Sequence, residues 1–335
     1  MGEPELRRRD RIGREQLEAE LLSPAASLSA KSRGRAVPEE PDPYRTAFER
    51  DRDRIIHTKA FRRLKHKTQV FINPEGDHFV TRLTHTLHVT QIGRAVAAAL
   101  SLNEQLTEAI CLGHDVGHSP FGHTGEEALG PFVPGGWWHS DHSVRVLSVL
   151  EPQNLSWEVL DGIRAHPWRV EDGPATQEGW ICRYADRIGY LTHDVADALR
   201  AGIIGFGDLP EMAREVLGAA SREWIDTMIT GVIEASLSAG SVTVDVRIGE
   251  AMDAVRRFMF DRVYLRPEAE DQRQRAVTVL HDLVEHFRAN PGEIPPSMQA
   301  LDPDPTVRAV DYVAGMTDRF ALMTHDRLYR PQLFD

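Results

Sequence analysis

Ionisable side chains are concentrated in one short stretch of the chain, residues 113–126, which reads GHDVGHSPFGHTGE. A single helical histidine is usually an ordinary core or surface residue, but burying several ionisable groups without partners is costly. Imidazole nitrogens with carboxylate oxygens suit a divalent transition metal, or Mg²⁺ or Mn²⁺ where carboxylates and water dominate. The stretch therefore predicts a metal site. Eight of the fifteen histidines lie in or around it: His78, His85, His88, His114, His118, His123, His139 and His142.

The adjacent pair His114 and Asp115 cannot complete such a site alone. Neighbouring residues on a helix point about 100° apart, so the remaining ligands must come from other segments. Two candidates are His85, in the upstream amphipathic stretch 81–87, and Asp186, in the apolar-periodic stretch 184–194. Two histidines, two aspartates and open water positions would make a catalytic rather than a structural metal site.

The elements that carry these residues are predicted to be helices. Apolar side chains recur at helical spacing through the chain from Tyr44 onward, and strand patterns are almost absent. Later helical stretches lie near 209–238, 245–263, 268–290 and 304–326, with Pro210, Pro267 and Pro305 as plausible starts. One period-two alternation, residues 241–246, predicts a single short strand. The predicted fold class is mostly α.

Composition limits the kind of protein. The 335 residues amount to about two domain lengths, with 41% hydrophobic and 27% charged residues, as in ordinary globular chains. No apolar run is long enough to span a membrane. Two cysteines, Cys111 and Cys182, cannot form a disulfide framework, which favours a reducing compartment and a cytoplasmic protein. Residues 1–43 are polar and rich in Ser, Ala, Gly and Pro, which predicts a flexible N-terminal tail.

The charge distribution is uneven. A net charge of −12 argues against a general nucleic-acid coat. Residues 45–67 nevertheless hold nine Lys and Arg against three acidic residues, a local excess of six positive charges. Two interpretations stay open for this segment, an anion site or a solvated helix face with ion pairs.

The ligand pattern His85, His114-Asp115 and Asp186 resembles that of the HD-domain metal-dependent phosphohydrolases. Four segments are similar to their dGTP triphosphohydrolase (dNTPase) branch: DRDRIIH at 51–57, AFRRLKHKTQV at 60–70, residues 114–126, and AGMTDR at 314–319. The resemblance runs from about residue 44 to residue 321. It implies an HD-domain helical fold with a catalytic core over 44–205 and a C-terminal helical region, 206–335, packed on that core. It also implies hydrolysis of deoxynucleoside triphosphates to deoxynucleoside and tripolyphosphate, with Mg²⁺, Mn²⁺ or another transition metal.

The resemblance also assigns roles to residues. It implies metal ligation by His85, His114, Asp115 and Asp186, and catalysis by His123 with Glu126 orienting it. It places Arg82, His118 and Arg187 at the phosphates, and Gln69, Tyr190 and Asp194 at the sugar. A triphosphate carries about four negative charges, so arginines and a metal give it a counter-charge. The spacing of Asp186, Tyr190 and Asp194 puts all three on one helical stripe.

The chain departs from the family pattern at two places. Ser119 stands where the family commonly has proline, a change expected to alter only a turn. His139 keeps its place, but its surroundings read WHSDH over residues 138–142, where the family usually has Glu-His-Asn followed by Gln.

Other functions remain to be weighed. One is an HD phosphohydrolase for another substrate, such as a nucleoside monophosphate or an alarmone, which would not need Gln69, Tyr190 and Asp194 together. Another is a non-catalytic module that binds nucleotide or single-stranded nucleic acid through residues 45–67. The intact ligand set argues against the second. That basic segment could instead bind an allosteric nucleotide or contact another subunit, and a homo-oligomer is expected from the family.

Overall fold

The computed structural model describes residues 8–69, 79–219, 222–264 and 266–331, so His78 lies outside the described residues. The mostly α fold class is confirmed, because within these ranges the only β-structure is two isolated bridges, Arg35–Ser156 and Thr68–Thr81. None of the helices described is long and apolar enough to cross a membrane. The α-helices are α1 (Arg11–Leu21), α2 (Ala47–His57), α3 (Lys59–Arg63), α4 (Arg82–Ala99), α5 (Glu104–Gly113), α6 (His123–Leu129), α7 (His139–Arg145), α8 (Trp157–Ala165), α9 (Gln177–Arg200), α10 (Glu211–Leu217), α11 (Arg222–Ala239), α12 (Val246–Met259), α13 (Pro267–Ala289), α14 (Pro296–Gln299), α15 (Pro305–Ala314) and α16 (Asp318–Tyr329).

Local signals explain where the functional helices begin. The hydroxyl of Thr81 accepts the backbone N–H of Thr84 at the start of α4, and the Thr84 hydroxyl accepts the N–H of Thr81 in return. Thr176 caps α9 through the N–H of Gly179. The three predicted proline starts are confirmed, because α13 and α15 begin at Pro267 and Pro305 and Pro210 directly precedes α10.

Two hydrophobic cores organise the helices. In the first core α4 packs against α5 and α9, with α2, α8 and α10–α12 around them; its fully buried residues include Phe48, Ile92, Leu106, Ile188 and Trp224. In the second core α13 packs against α6, α15 and α16 around Leu129, Leu280, Phe287 and Val313. The region 206–335 therefore divides between the two cores. The division of the chain at residue 205 stays a prediction.

The predicted strand over residues 241–246 is wrong. The segment is an irregular connection, in which two backbone N–H groups bond to side chains and that of Asp245 donates to the carbonyl of Gly231 at 3.3 Å. Val242 N–H donates to Gln177 Oε1 at 2.7 Å, and Thr243 N–H donates to Ser236 Oγ at 3.0 Å. Asp245 then caps α12, which begins at Val246. Of its alternating valines, Val242 and Val244 pack against the first core, whereas Val246 is exposed.

Residues 8–43 also differ from the flexible tail expected for 1–43. They contain α1, and core carboxylates bind the segment that follows it. Glu178 accepts the N–H of Ser27 at 2.9 Å, Glu158 accepts the N–H of Arg33 at 2.7 Å, and Arg35 pairs with buried Asp51. These bonds tie the described part of the N-terminal segment to the first core. Residues 1–7 lie outside the described residues.

Candidate active site

Three helices of the first core bring the four predicted metal ligands together. His85 lies on α4, His114 and Asp115 follow the end of α5, and Asp186 lies on α9. His85 Nε2 is 3.0 Å from Asp186 Oδ1. His114 Nε2 is 3.7 Å from Asp115 Oδ2 and 3.8 Å from Asp186 Oδ1. One donor atom each from His85, His114 and Asp186 lies within 4.8 Å of the others.

The chemistry of this donor set fits a divalent cation. His114 Nδ1 donates to the carbonyl of Cys111 at 2.6 Å, which leaves the lone pair on Nε2. That Nε2 atom is buried and has no hydrogen-bond partner among the described residues. Burial lowers the pKa of His114, so the ring stays neutral and able to ligate. A cation would satisfy a nitrogen that is otherwise costly to bury.

Both aspartates of the cluster are held ionised. Burial by itself would raise the pKa of Asp115, but Arg82, whose Nη1 is 2.7 Å from Asp115 Oδ2, holds that pKa well below its usual range. Burial also opposes ionisation of Asp186, and the bond to His85 with the nearby His114 outweighs it and lowers its pKa. Arg82 keeps two buried donors, Nε and Nη2, without partners in the described structure.

A second group of ionisable residues lies on the loop after the ligand pair and on α6. His123 has a side chain 76% exposed, and its Nδ1 bonds to Glu126 Oε2 at 2.9 Å. Glu126 Oε1 bonds to the ring Nδ1 of His139 at 2.6 Å and to its backbone N–H at 2.8 Å. Burial would raise the pKa of Glu126, but His139 and His123 hold it well below its usual range.

His118 and His139 stack face to face beside this carboxylate. Their ring centroids are 4.6 Å apart at an interplanar angle of 14°. Burial and then Arg82 lower the pKa of His118 well below its usual range, so the ring is neutral, and neither of its nitrogens has a partner in the described structure. Burial would also lower the pKa of His139, but Glu126 outweighs it and raises the pKa. His118, His123 and Glu126 also place donor atoms within 4.8 Å of one another.

Close backbone packing holds the loop between the two groups. A Cβ on Gly117 would lie 2.3 Å from the backbone nitrogen of Ser143 on α7, so only glycine fits there. Ser143 Oγ joins the two segments by accepting the N–H of Gly117 and donating to the carbonyl of His114. Phe121 and Gly122 both adopt positive φ, near 60°, and turn the chain into α6. The loop thus buries His118 and exposes His123.

The predicted sugar-binding residues Tyr190 and Asp194 follow Asp186 on α9. Tyr190 is half-buried, and burial raises its pKa. Asp194 is buried and accepts a hydrogen bond from the hydroxyl of Tyr264. Burial raises the pKa of Asp194 to about 7 in spite of that bond. The next residue after the metal ligand, Arg187, pairs with the exposed carboxylate of Asp253 on α12.

Gln69 lies on the other side of the site, beside the loop. The backbone carbonyl oxygen of Gln69 and the Nη2 atom of Arg82 would each lie 3.3 Å from a Cβ placed on Gly122. Gln69 Oε1 is buried and has no partner among the described residues. A buried acceptor without a protein partner is the kind of group that a bound ligand can satisfy.

Sequence reasoning missed several residues of the site. His166 Nε2 is 3.1 Å from His139 Nε2, and its ring centroid is 5.0 Å from that of His114. His166, Asp253 and Tyr264 lie outside every motif segment, so only packing reveals them. His88 and His193 form another close pair, with Nδ1 and Nε2 3.0 Å apart.

The basic segment 45–67 is largely neutralised by carboxylates. Arg45 pairs with Asp42 and Asp53, Arg54 pairs with Glu39, and Arg63 pairs with Glu151. Lys67 is buried, and its Nζ donates to the carbonyls of His118 and Ala314. This arrangement favours the ion-paired interpretation over a continuous anion-binding surface.

The fold and the ligand cluster define an HD-domain phosphohydrolase. The HD domain family matches residues 82–199, which contain all four predicted metal ligands, and the phosphohydrolase-associated domain family matches residues 242–327. A crystal structure of a hypothetical protein from Aquifex aeolicus shares the fold, with a TM-score of 0.50 and 23% identity over 84% of this chain and 68% of that chain.

Similarity to curated proteins identifies the family within the HD-domain phosphohydrolases. A deoxyguanosinetriphosphate triphosphohydrolase-like protein of Caldanaerobacter subterraneus subsp. tengcongensis is 48% identical over 323 residues, which cover 95% of each chain. Proteins of the same name from Clostridium perfringens and Geobacter sulfurreducens are 43% and 41% identical, each over 95% of this chain and over 97% and 98% of their own lengths. The chain belongs to this deoxyguanosinetriphosphate triphosphohydrolase-like family.

Proposed function

We propose that this protein is a metal-dependent triphosphohydrolase that converts deoxynucleoside triphosphates to deoxynucleoside and tripolyphosphate. The observation that carries the proposal is the course of α9. Asp186, the carboxylate that we assign to the metal, is followed on the same helix by Arg187, Tyr190 and the buried carboxylate of Asp194. The names of the relatives support the same substrate class.

We propose one position for the cation, supported by the donor set on α4, α9 and the turn after α5. A bound Mg²⁺ or Mn²⁺ would be held by His85, His114, Asp115 and Asp186, and it would supply charge neutralisation and an activated water. The chain itself prepares the site by keeping both carboxylates ionised and His114 neutral.

Cationic donors are available for the triphosphate next to the ligands. Arg82 is anchored by Asp115 through Nη1, which leaves its buried Nε and Nη2 donors for phosphate oxygens. Arg187 is held by Asp253, and a phosphate would take the place of that exposed carboxylate. His118, with both nitrogens unpaired, supplies a further contact to phosphate.

His123 is placed to move a proton. Its Nδ1 is bonded to Glu126, so Nε2 is the atom that exchanges a proton with the substrate. The exposed ring can reach a bound molecule without rearrangement of the core. We assign it as the general acid that protonates the 5′-oxygen of the leaving deoxynucleoside, with Glu126 fixing the ring.

The far end of the stripe fits the sugar. Asp194 lies two helical turns from Asp186, about 12 Å along the helix axis at 1.5 Å per residue. A 3′-hydroxyl could donate to Asp194 in place of the Tyr264 hydroxyl. The ring of Tyr190 lies between the two carboxylates along α9, where it would restrict a 2′-hydroxyl.

The decisive experiment is to incubate the purified protein with each dNTP and Mn²⁺ or Mg²⁺ and to identify the products by phosphorus NMR and chromatography. We expect tripolyphosphate and free deoxynucleoside, with none formed by Asp115→Ala. Orthophosphate or pyrophosphate would assign the chain to another class of HD phosphohydrolase. Salt-sensitive nucleic-acid binding without hydrolysis would indicate a binding module.

The assembly and location of the protein belong to the same proposal. A homo-oligomer in the cytoplasm is the form we propose. Light scattering that shows a fully active monomer would contradict the oligomer.

A further inference from the structure

A cavity of about 570 Å³ lies between the N-terminal segment and the first core, and we call it the N-terminal cavity. One wall consists of the end of α1 and residues 22–33, and the other consists of the start of α8 and the residues that lead into α9. None of the residues that line it belongs to the candidate active site. Small-molecule sites commonly occupy about 300–1,000 Å³, so the N-terminal cavity is large enough for a small metabolite.

Carboxylates of the core fix the wall that the N-terminal segment forms. Glu178 accepts the N–H and the hydroxyl of Ser27, each at 2.9 Å. Glu158 accepts the hydroxyl of Ser32 at 2.8 Å and the N–H of Arg33 at 2.7 Å. The wall is therefore already in place, and a ligand would bind with little cost in ordering the chain.

One arginine at the cavity is oriented by an aromatic ring but has no acceptor. The guanidinium carbon of Arg33 lies 3.7 Å from the ring centroid of Trp157. Within the described residues this guanidinium has no ion-pair partner, and both oxygens of the one carboxylate that lines the cavity, Glu158, already bind other donors. A stacked guanidinium keeps its planar set of N–H donors aligned for a phosphate or carboxylate.

Further donors surround the same space. Lys31 is exposed, lines the cavity and has no ion-pair partner in the described part of the chain. Ser23 Oγ accepts the N–H of Ala25 at 3.3 Å, and Thr176 Oγ1 accepts that of Gly179 at 3.1 Å, so both hydroxyls keep their own hydrogens for a ligand. A phosphate monoester, with about two negative charges near pH 7, matches two cations and two hydroxyl donors.

Apolar side chains complete the lining. Leu22, Pro24 and Leu28 belong to the N-terminal wall, together with Ala19 at the end of α1. An inorganic phosphate ion would leave this apolar surface in contact with water, whereas an ester with an apolar body would cover it. The lining therefore favours an organic phosphate over the free ion.

We propose that the N-terminal cavity binds a phosphate monoester that carries an apolar or aromatic group. Arg33 and Lys31 bind the phosphate, and the body of the ligand packs against Leu22, Pro24 and Leu28. The bound ester joins the N-terminal segment to the starts of α8 and α9. The inference does not depend on the proposed dNTP hydrolysis, because the two sites share no residue and the test below measures binding alone.

The competing position for an added phosphate ester is the candidate active site, which also offers arginines. Arg82 has buried donors without partners in the described structure, and Arg187 pairs only with an exposed carboxylate there. Variants of Arg33 and Arg82 separate the two positions. The probe is benzylphosphonate, an analogue of a phosphate monoester whose C–P bond resists hydrolysis.

The experiment is isothermal titration calorimetry of the full chain, with Mn²⁺ present, against benzylphosphonate and separately against inorganic phosphate. We expect benzylphosphonate to bind more tightly than inorganic phosphate, and Arg33→Gln to weaken it by about tenfold or more. Arg82→Gln should keep this binding. The matched control is Arg8→Gln, which alters an arginine of the same segment that lies over the ring of Tyr44, outside the cavity, and should bind as the wild type does.

Ala19→Phe tests the apolar part of the site, because it narrows the cavity from α1 without removing a cation. It should weaken benzylphosphonate more than inorganic phosphate, and circular dichroism checks that each variant folds. In the wild type, benzylphosphonate should slow amide hydrogen exchange within residues 22–33, a readout that needs no variant. No binding to the wild type, equal affinity for the two probes, or binding that is lost in Arg82→Gln and kept in Arg33→Gln would overturn the proposal.

Discussion

The two hydrophobic cores contribute different halves of the active site. The first core carries the predicted metal ligands, on α4 and α9 and directly after α5. The second core anchors the two residues to which we assign proton transfer, because α6, which begins at His123 and carries Glu126, buries Ala128 and Leu129 against α13. The difference teaches that forming the metal cluster does not by itself position His123. We therefore expect the proposed reaction to depend on how the two cores are joined.

Polar contacts at the seam between the cores make that connection. One carboxylate, that of Asp318 at the start of α16, accepts the N–H of Thr68 at 2.9 Å and that of Phe121 at 3.1 Å. Arg145 on α7 pairs with Asp311 on α15, with its shortest N–O distance at 2.6 Å. The AGMTDR segment, residues 314–319, thus holds both the loop that leads to His123 and the segment that leads to Gln69.

The largest expected effect comes from breaking the first half. Asp115→Ala removes a metal ligand and leaves Arg82 as an uncompensated buried cation. We expect loss of detectable hydrolysis and of bound metal, while the helical circular dichroism spectrum is largely kept. His114→Ala should behave in the same way. Full activity of either variant, or of wild type after exhaustive chelation, would contradict the metal assignment.

Removing the proposed proton donor from the second half of the site should reduce hydrolysis less than removing a metal ligand, and bound metal should be kept. His123→Ala removes the proposed acid, so kcat should fall on the order of 10²–10⁴-fold, the usual range for a positioned acid or base. The amount of metal bound at the predicted ligands and the affinity for nucleotide should stay nearly unchanged, because the proton is transferred only in the transition state. Single-turnover kinetics with parallel metal analysis checks this. Equal loss of metal in His123→Ala would show that the two halves are not separate.

Sequence patterns predicted the helical parts of the fold well and its long-range contacts poorly. Proline starts and the apolar period of α9 are local properties, which is why they are readable from neighbouring residues. The N-terminal segment was expected to be flexible because its composition is polar. Its order depends on Glu158 and Glu178, more than a hundred residues away in the chain. The strand at 241–246 failed because periodicity cannot show that a partner strand is missing.

The same distinction applies to the site. His114, Asp115, His123 and Glu126 lie in one compact motif, and the structure brings His114 and Asp115 together with His85 and Asp186. His166 and Tyr264 have no such signal, because each reaches the site through the packing of a separate helix or turn. For the basic segment at 45–67 the sequence left two interpretations open, an anion site or an ion-paired helix face. The structure favours the second, because its arginines pair with carboxylates such as Glu39 and Glu151, and composition alone cannot identify these partners.

A smaller effect is expected at the far end of α9, where selectivity rather than turnover is tested. Asp194→Asn should reduce discrimination against a 3′-deoxynucleotide, because that analogue lacks the hydroxyl that would donate the proposed hydrogen bond to the wild-type carboxylate. The loss corresponds to about 1–3 kcal/mol, roughly 5–150-fold in kcat/KM. Tyr190→Ala should relax rejection of the ribonucleotide, and Asp226→Asn, at an exposed position on α11, is the matched control. Unchanged selectivity in both variants would remove these residues from the sugar site.

The last prediction concerns stability rather than activity. It involves the buried side chain of Lys67, which lies at the seam between the two cores. Burial and then Arg63 lower the pKa of Lys67 to about 7, from an unfolded value of about 10.4. As the pH falls from 10 to 7, the unfolded chain binds a proton that the folded chain does not. The free energy of unfolding should therefore decrease, by at most about 1.4 kcal/mol per pH unit, and this contribution should level off below pH 7.

Lys67→Met removes this titration, together with donors to the carbonyls of His118 and Ala314, whose loss gives a pH-independent offset. Urea unfolding across this pH range should show the variant gaining stability relative to wild type as the pH is lowered toward 7. Lys65→Met, at an exposed position two residues away, should follow the wild type throughout. A stability difference for Lys67→Met that stays constant with pH would show that Lys67 remains protonated between the two cores, and that the seam tolerates a buried charge.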